Sequence, residues 1–267
     1  MDNSLAEYLD FAIKVSKDAG KLNLAFFEKP KKIRIKKDNS LVTEADIQSE
    51  TLVRNKITKR FPEHGILGEE SGLKKSTSHY YWCIDPLDGT TNFVRGIPVF
   101  AVSIALLYRN KPIVGVVYDP VSKNLFCAAK GEGSFLNNTS LKPPKIIPQK
   151  ELMFAVQSEY DGRVPGYLNQ ILKKAKIRSI GVASLHVCYV AAGWVDCYIG
   201  DRCSLWDIAG GSIILTEAGG VISKPNGKKI FPLECDISTY VDTSIRCIAA
   251  RKNKHKKILS EYFSSYT

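Results

Sequence analysis

The sequence predicts an α/β fold in two halves, an antiparallel sheet with flanking helices followed by alternating strands and helices. Three observations carry this reading. Leu5, Leu9, Ala12, Ile13, Ser16 and Ala19 recur at helical spacing near the N-terminus. Three apolar runs between Val99 and Ala129 are separated by the turn residues Asn110, Pro112, Asp119 and Pro120, the pattern of a meander. After the proline-rich stretch Leu141 to Pro148, strand-like and helix-like segments alternate, the mark of an α/β half.

In chain order, the first helix runs through Phe27 and ends at Pro30. Ile33 and Ile35 alternate with Lys32, Arg34 and Lys36, which predicts a half-buried strand with a basic outer face. Asp46 to Phe61 returns to helical spacing through Ile47, Leu52, Val53 and Ile57, and Pro62 and Gly65 close it. Ile66 to Gly68 and Tyr80 to Ile84 are short apolar strands that each run into acids. The strands Val99 to Tyr108, Ile113 to Tyr118 and Asn124 to Ala129 form the meander. Pro143, Pro144 and Pro148 mark a division near residue 142, giving halves 1–142 and 143–267. The second half reads as strand Met153 to Gln157, helix Tyr167 to Lys174, strand Ile177 to Ile180, helix Ser184 to Ala192 and strand Val195 to Ile199.

With 267 residues, 44% hydrophobic and 24% charged, the chain can bury more than one layer of core. Its seven cysteines are odd in number and lack a Cys-x-x-Cys pair, which predicts reduced, mostly buried thiols. The acidic start at Asp2, Glu7 and Asp10 lacks the form of a secretory signal, so a cytoplasmic location is expected. No apolar run approaches the ~20 residues of a membrane span. The net charge of +11 gathers at Lys29 to Lys37, Lys74 and Lys75, Lys173 to Arg178, and Arg251 to Lys257. Without aromatics among those residues, it reads as solvated surface that steers anionic small molecules rather than as a specific nucleic-acid site.

The chemistry sits where strands end in acids. Gly68-Glu69-Glu70-Ser71 follows one strand, Asp85-Pro86-Leu87-Asp88-Gly89-Thr90-Thr91 follows another, and Trp206-Asp207 stands just before an expected helix. Two aspartates three apart across a Pro-Leu turn would aim both carboxylates and the Leu87 carbonyl into one space, an oxygen-only set suited to magnesium. Asp88 is a good N-cap for a helix beginning at Gly89-Thr90-Thr91, whose free N–H groups would then meet a phosphate at the same place. Glu70 is expected to point away from Glu69, as neighbours on an extended segment do. His186, on a helix of the second half, is expected to be structural.

Trp82 to Phe93 (WCIDPLDGTTNF), Trp206 to Gly220 (WDIAGGSIILTEAGG), Gly68 to Ser71 (GEES) and Leu41 to Asp46 (LVTEAD) resemble, in order, the motifs of the inositol monophosphatase family. The resemblance implies a layered α/β/α/β/α sandwich, a homodimer and two to three Mg²⁺ ions. It implies one magnesium on Glu69, Asp85 and the Leu87 carbonyl, a second on Asp85, Asp88 and Asp207, and a weaker third near Glu69 and Asp46. Asp46 and Thr90, with Glu69, would activate the attacking water. Asp88, Gly89, Thr90, Thr91 and Asp207, with the loop Gly181, Val182 and Ala183, would contact substrate. Thr91 in place of a lysine leans toward inositol phosphates and away from nucleotide 3′-phosphates, and the resemblance implies inhibition by lithium.

The expected activity is hydrolysis of a small phosphate monoester, inositol monophosphate or a related polyol phosphate. Histidinol phosphate, fructose 1,6-bisphosphate and 3′-phosphoadenosine 5′-phosphate are alternatives within the fold, and an RNA-associated regulatory protein is the alternative of another class. One departure bears on the alcohol. Inositol-specific members of the family that this chain resembles commonly carry a glutamate seven positions before the Trp-Asp aspartate, where it has Gly200, and often a threonine or serine where it has Val182. Asp201 is the candidate substitute acceptor, and broad specificity is expected.

Overall fold

In the computed structural model of the chain, residues 3–29, 32–36, 40–141, 152–160, 162 and 164–264 are described. The first helix, α1 (Asn3–Phe27), leads to a short hairpin of β1 (Ile33–Ile35) and β2 (Leu41–Thr43), and then to α2 (Glu44–Arg60). Thr43 caps α2 through its side chain, and Asp46 at the third helical position returns the bond to the Thr43 N–H, a capping box that sets the helix start to the residue. The half-buried strand expected at Ile33–Ile35 is exposed throughout, with Ile35 71% exposed. Among the described residues its one pairing is with β2, in a two-stranded sheet, so period-2 alternation here did not report burial.

Next come β3 (Gly65–Gly68), β4 (Gly72–Lys74), β5 (Tyr80–Asp88), the short α3 (Thr90–Arg95), β6 (Ala101–Tyr108), β7 (Lys111–Asp119), β8 (Asn124–Ala129), β9 (Ser134–Leu136) and β10 (Thr139–Ser140). They build an eight-stranded sheet in the order β10-β9-β8-β7-β6-β5-β3-β4. The meander is antiparallel as expected, and β3 runs parallel to β5. The second half supplies β11 (Met153–Val156), α4 (Gly166–Lys174), β12 (Lys176–Arg178), α5 (Ala183–Ala192), β13 (Cys197–Cys203), α6 (Leu205–Glu217), β14 (Gly220–Ser223), β15 (Ile245–Arg251) and α7 (Lys252–Tyr262). Its five-stranded sheet has the order β12-β11-β13-β15-β14, with β11 parallel to β12 and β13, and β15 antiparallel to both of its neighbours.

These elements stack as α/β/α/β/α. Helices α1 and α2 cover one face of the large sheet, α5 and α6 lie between the sheets, and α4 and α7 cover the far face of the small one. Helix α6 is buried nearly all round, through Trp206, Ile208, Ala209, Ile213, Ile214 and Leu215 among others, as expected for a helix between two sheets. One apolar cluster therefore joins Val117 and Phe126 of the large sheet to Leu185, Ile208 and Cys247. The division expected near residue 142 lies outside the described residues. Six of the seven cysteines are buried and free, and Cys235 is free and exposed. No described helix is long and apolar enough to cross a membrane.

The approach of α6 to the large sheet depends on Gly115 of β7. A Cβ there would lie 2.3 Å from Ile213 Cγ2 and 2.4 Å from the Gly210 carbonyl oxygen. Gly115→Ala is therefore expected to cost about 1–3 kcal/mol by overpacking, read as a lower midpoint in urea unfolding with the slope unchanged. An unchanged midpoint would show that the helix gives way without strain.

Candidate active site

The acids converge because four elements end or bend at one place. Glu69 follows β3, and its turn is held by Glu50 of α2, whose buried carboxylate accepts the Glu70 and Ser71 N–H groups at 2.8 Å each. Asp85 and Asp88 both lie within β5. Its pairing with β6 slips between them, so Pro86-Leu87 forms an irregularity within the strand where a turn was expected. The bulge is stitched by the Leu87 N–H donating to Asp85 Oδ1 (3.0 Å) and by Asn23 Nδ2 donating to the Pro86 carbonyl (2.7 Å).

Asp207 stands inside α6 rather than before it. It is the third helical residue, capped by Ser204, and its Oδ2 accepts the Ser204 N–H at 2.7 Å. Ser103 of β6 pins this helix start by donating to the Trp206 carbonyl at 3.0 Å. The cap of α3 is also corrected, since Gly89 at φ 100° takes that position and Asp88 instead accepts the Ser184 N–H of α5 at 2.7 Å. That bond ties the two halves together at the site.

Asp46 and Thr90 meet as expected. Thr90 Oγ1 donates to Asp46 Oδ1 at 2.8 Å and lies 3.3 Å from the Leu87 carbonyl, while Asp46 Oδ2 accepts from the Thr43 N–H and hydroxyl at 2.7 and 2.6 Å. Gly181, Val182 and Ala183 line a cavity with Asp88 and Asp207. Thr91 is exposed on α3 and outside that lining.

Two groups escaped the sequence reading. Lys36 reaches in from beyond β1, with Nζ 2.7 Å from Glu69 Oε1 and 2.5 Å from Glu70 Oε1. Glu70 therefore does not point away, because residues 69–71 form a turn in which both side chains meet one ammonium. A lone lysine in a basic run carries no signal of that role. Glu50 lacked one too, lying unmarked inside a helical repeat. His186 is structural, as expected: Nε2 accepts the Ile180 N–H at 3.1 Å, and burial pushes its pKa down to about 4.

The carboxylates disturb one another. Burial pushes Asp85 well above the usual carboxylate range, and Glu69, Asp88 and Asp207 push it further. Burial does the same to Asp207, helped by Asp88, Cys203 and Glu69. Glu69 is raised by burial against the pull of Lys36, and Glu70 by burial to about 7. Asp88 and Asp46 are raised by burial, held back by their hydrogen bonds to Ser184 and to Thr43 and Thr90. Among the described residues no three acidic or sulfur ligands close around a single point. The donor set nevertheless fits magnesium: it is oxygen only, each of Glu69, Asp85, Asp88 and Asp207 has one oxygen outside the bonds described above, and a divalent cation would relieve their mutual repulsion.

This arrangement sets acids from both halves beside a Thr–Asp pair in an α/β/α/β/α sandwich. Residues 4–266 match the inositol monophosphatase family profile, and the chain belongs to that family. It is 37% identical to "Inositol monophosphatase 3" of Solanum lycopersicum over 243 residues, covering 85% of this chain and 90% of that protein. It is 38% identical over 231 residues to "Nus factor SuhB" of Pasteurella multocida, covering 82% and 85%. The solved IMPase of Thermotoga maritima superposes with a TM-score of 0.84 at 29% identity, covering 95% of this chain and 96% of that one.

A carboxylate whose folded pKa lies above its unfolded one holds a proton that the unfolded chain has already lost. Stability then falls as pH rises from the ordinary carboxylate range toward the folded values. For Asp85 and Asp207, both raised, chelator-treated protein is expected to lose stability as pH rises above the ordinary carboxylate range, and magnesium to restore more of it at pH 8 than at pH 5. Calorimetric scans in EDTA and in magnesium measure this, and a magnesium-induced rise in Tm no larger at pH 8 than at pH 5 contradicts it.

Proposed function

We propose that this chain is a magnesium-dependent phosphatase that hydrolyses a small phosphate monoester of the inositol monophosphate type. The observation that supports this most directly is the Asp46–Thr90 hydrogen bond set beside Glu69, Asp85, Asp88 and Asp207. Magnesium, held by Glu69, Asp85, the Leu87 carbonyl, Asp88 and Asp207, would supply charge neutralisation and a lowered water pKa. Thr90, with its hydroxyl directed at Asp46, orients the attacking water, and the raised Asp46 carboxylate takes up its proton. The N–H groups of Gly89, Thr90 and Thr91 would donate to the phosphoryl oxygens and stabilise charge as it develops. Asp88, held by the Ser184 N–H, would be oriented by that bond as a ligand.

Asp88→Asn is expected to reduce kcat by roughly 100-fold or more, the scale of losing one electrostatic stabiliser of the transition state, and chelation should abolish turnover of inositol 1-phosphate. Phosphate release with purified protein tests both, with circular dichroism melts to verify the fold. Undiminished turnover in either arm would overturn the proposal.

A second reading, an RNA-associated regulatory role, draws support from the SuhB relative and the +11 charge. On the phosphatase reading, RNA binds weakly, without sequence preference and with steep salt dependence. Filter binding that finds tight, sequence-selective retention at physiological salt would favour the second role.

A further inference from the structure

Strand β13 pairs with β15 out of step at its end. Gly200 stands opposite Cys247 and Cys203 opposite Ile245, so three steps along β13 are matched by two along β15. A shift of one residue moves a side chain to the other face of a sheet. Asp201, the expected substitute acceptor, is thereby turned away from the cavity. Its buried carboxylate accepts from the Tyr167 hydroxyl and lies 2.7 Å from Arg246 Nε, so that expectation is corrected. Gln157 Oε1 holds the irregular backbone by accepting the Asp201 N–H (2.8 Å) and the Arg202 N–H (3.1 Å). The same shift brings Cys203 onto the face of Cys247, with the two sulfurs 3.8 Å apart.

Gly200 makes that contact possible. A Cβ at position 200 would lie 2.3 Å from Cys203 Sγ, so the space beside Cys247 that a side chain would fill is taken by the sulfur of Cys203. Both thiols are free; Cys247 is fully buried and Cys203 is 3% exposed. Cys203 nevertheless borders the cavity lined also by Asp88, Tyr198 and Asp207, whose volume is about 120 Å³. That is room for several molecules of water size, at ~30 Å³ each. An oxidant as small as hydrogen peroxide therefore reaches Cys203, and Cys247 is reached only through Cys203.

We propose that Cys203 and Cys247 are an oxidative modification site, at which hydrogen peroxide closes the pair to a disulfide that distorts the cavity wall and lowers turnover. The Cys203 sulfur attacks one peroxide oxygen, the O–O bond breaks, and the departing hydroxide takes the thiol proton and leaves as water. Cys203 is then a sulfenic acid, oxidised by two electrons. The Cys247 sulfur attacks it, the S–O bond breaks, and a second water leaves with the Cys247 proton. Two thiols and one peroxide thus give one disulfide and two waters. The hydrogen bond with Cys247 and burial push the Cys203 thiol well above its usual range, so the first step is slow and needs excess peroxide. Bringing the sulfurs from 3.8 Å to the ~2.05 Å of a disulfide breaks the 3.3 Å contact of Cys203 Sγ with the Tyr198 hydroxyl. It also pulls on Ser204, the cap of α6, whose N–H is held by Asp207, and so displaces Asp207.

The site stands apart from the phosphatase reading, and only its effect on turnover rests on that reading. The test uses protein carrying Cys235→Ser, which removes the exposed thiol. After incubation with excess hydrogen peroxide, alkylation and digestion, mass spectrometry is expected to find the Cys203 and Cys247 peptides joined. Phosphate release from inositol 1-phosphate should fall by roughly 10- to 100-fold, the scale of a displacement of about 1 Å in a catalytic arrangement, and return with dithiothreitol. In Cys247→Ser the sulfenic acid on Cys203 should persist and be trapped by dimedone. In Cys203→Ser peroxide should leave Cys247 reduced and turnover at that variant's own untreated level. Absence of the joined peptide, or a joined peptide in an enzyme whose turnover is undiminished, overturns the inference. If no ester is turned over before treatment, the phosphatase reading fails instead. The joined peptide and the dimedone adduct then still decide the site: their absence refutes it.

Discussion

Four carboxylates held within electrostatic reach of one another, away from water, are the arrangement on which the rest of this fold depends. Left alone they would raise one another's pKa values until some were neutral, and those of Asp85 and Asp207 are pushed furthest. Every element around the site supplies a compensating donor. The Leu87 N–H serves Asp85, the Ser184 N–H serves Asp88, the Ser204 N–H serves Asp207, and the Lys36 ammonium serves Glu69. Each of these bonds engages a carboxylate oxygen, so the same bonds that make the cluster tolerable also orient it. Buried charges persist in proteins only on such terms.

The layered architecture makes this possible by placing a helix between two sheets. Because α6 is apolar on all sides, it is held by both sheets, and Asp207 at its first turn is delivered to acids carried by β5. The close contact at Gly115 and the Ser103 bond to the Trp206 carbonyl fix how far the helix advances. On the other side, α5 ends its approach with the Ser184 N–H on Asp88, so both inter-sheet helices begin at the site. Packing and the geometry of the acidic cluster are one problem here, and a small displacement of α6 would move Asp207.

Irregular strand pairing does the finer work. The slip in β5 brings Asp85 and Asp88 to a common space, and the slip in β13 turns Asp201 outward and leaves Arg202 at the cavity. The first irregularity gathers acids, and the second turns a carboxylate away from the cavity that those acids border. Regular alternation along either strand would have placed these side chains differently.

Much was legible in the sequence alone. Helical spacing located α1 and α2, turn residues located the meander, and acids at strand ends marked Glu69, Asp85, Asp88 and Asp207, because these are local patterns set by neighbours in the chain. The sequence reading overlooked β15, the strand that lies between β13 and β14, and it read the basic run at Arg251 to Lys257 as solvated surface where α7 packs through His255 and Ile258. The exposure of β1, the caps of α3 and α6, the meeting of Glu70 with Lys36 and the outward turn of Asp201 were decided only by tertiary structure. Each depends on a partner distant in sequence, as Lys36 and Glu69 are 33 positions apart and Tyr167 and Asp201 are 34 apart. Residue type and spacing along the chain determined which groups could do the chemistry; the direction in which each side chain points was set by pairing slips and packing contacts that no local pattern encodes.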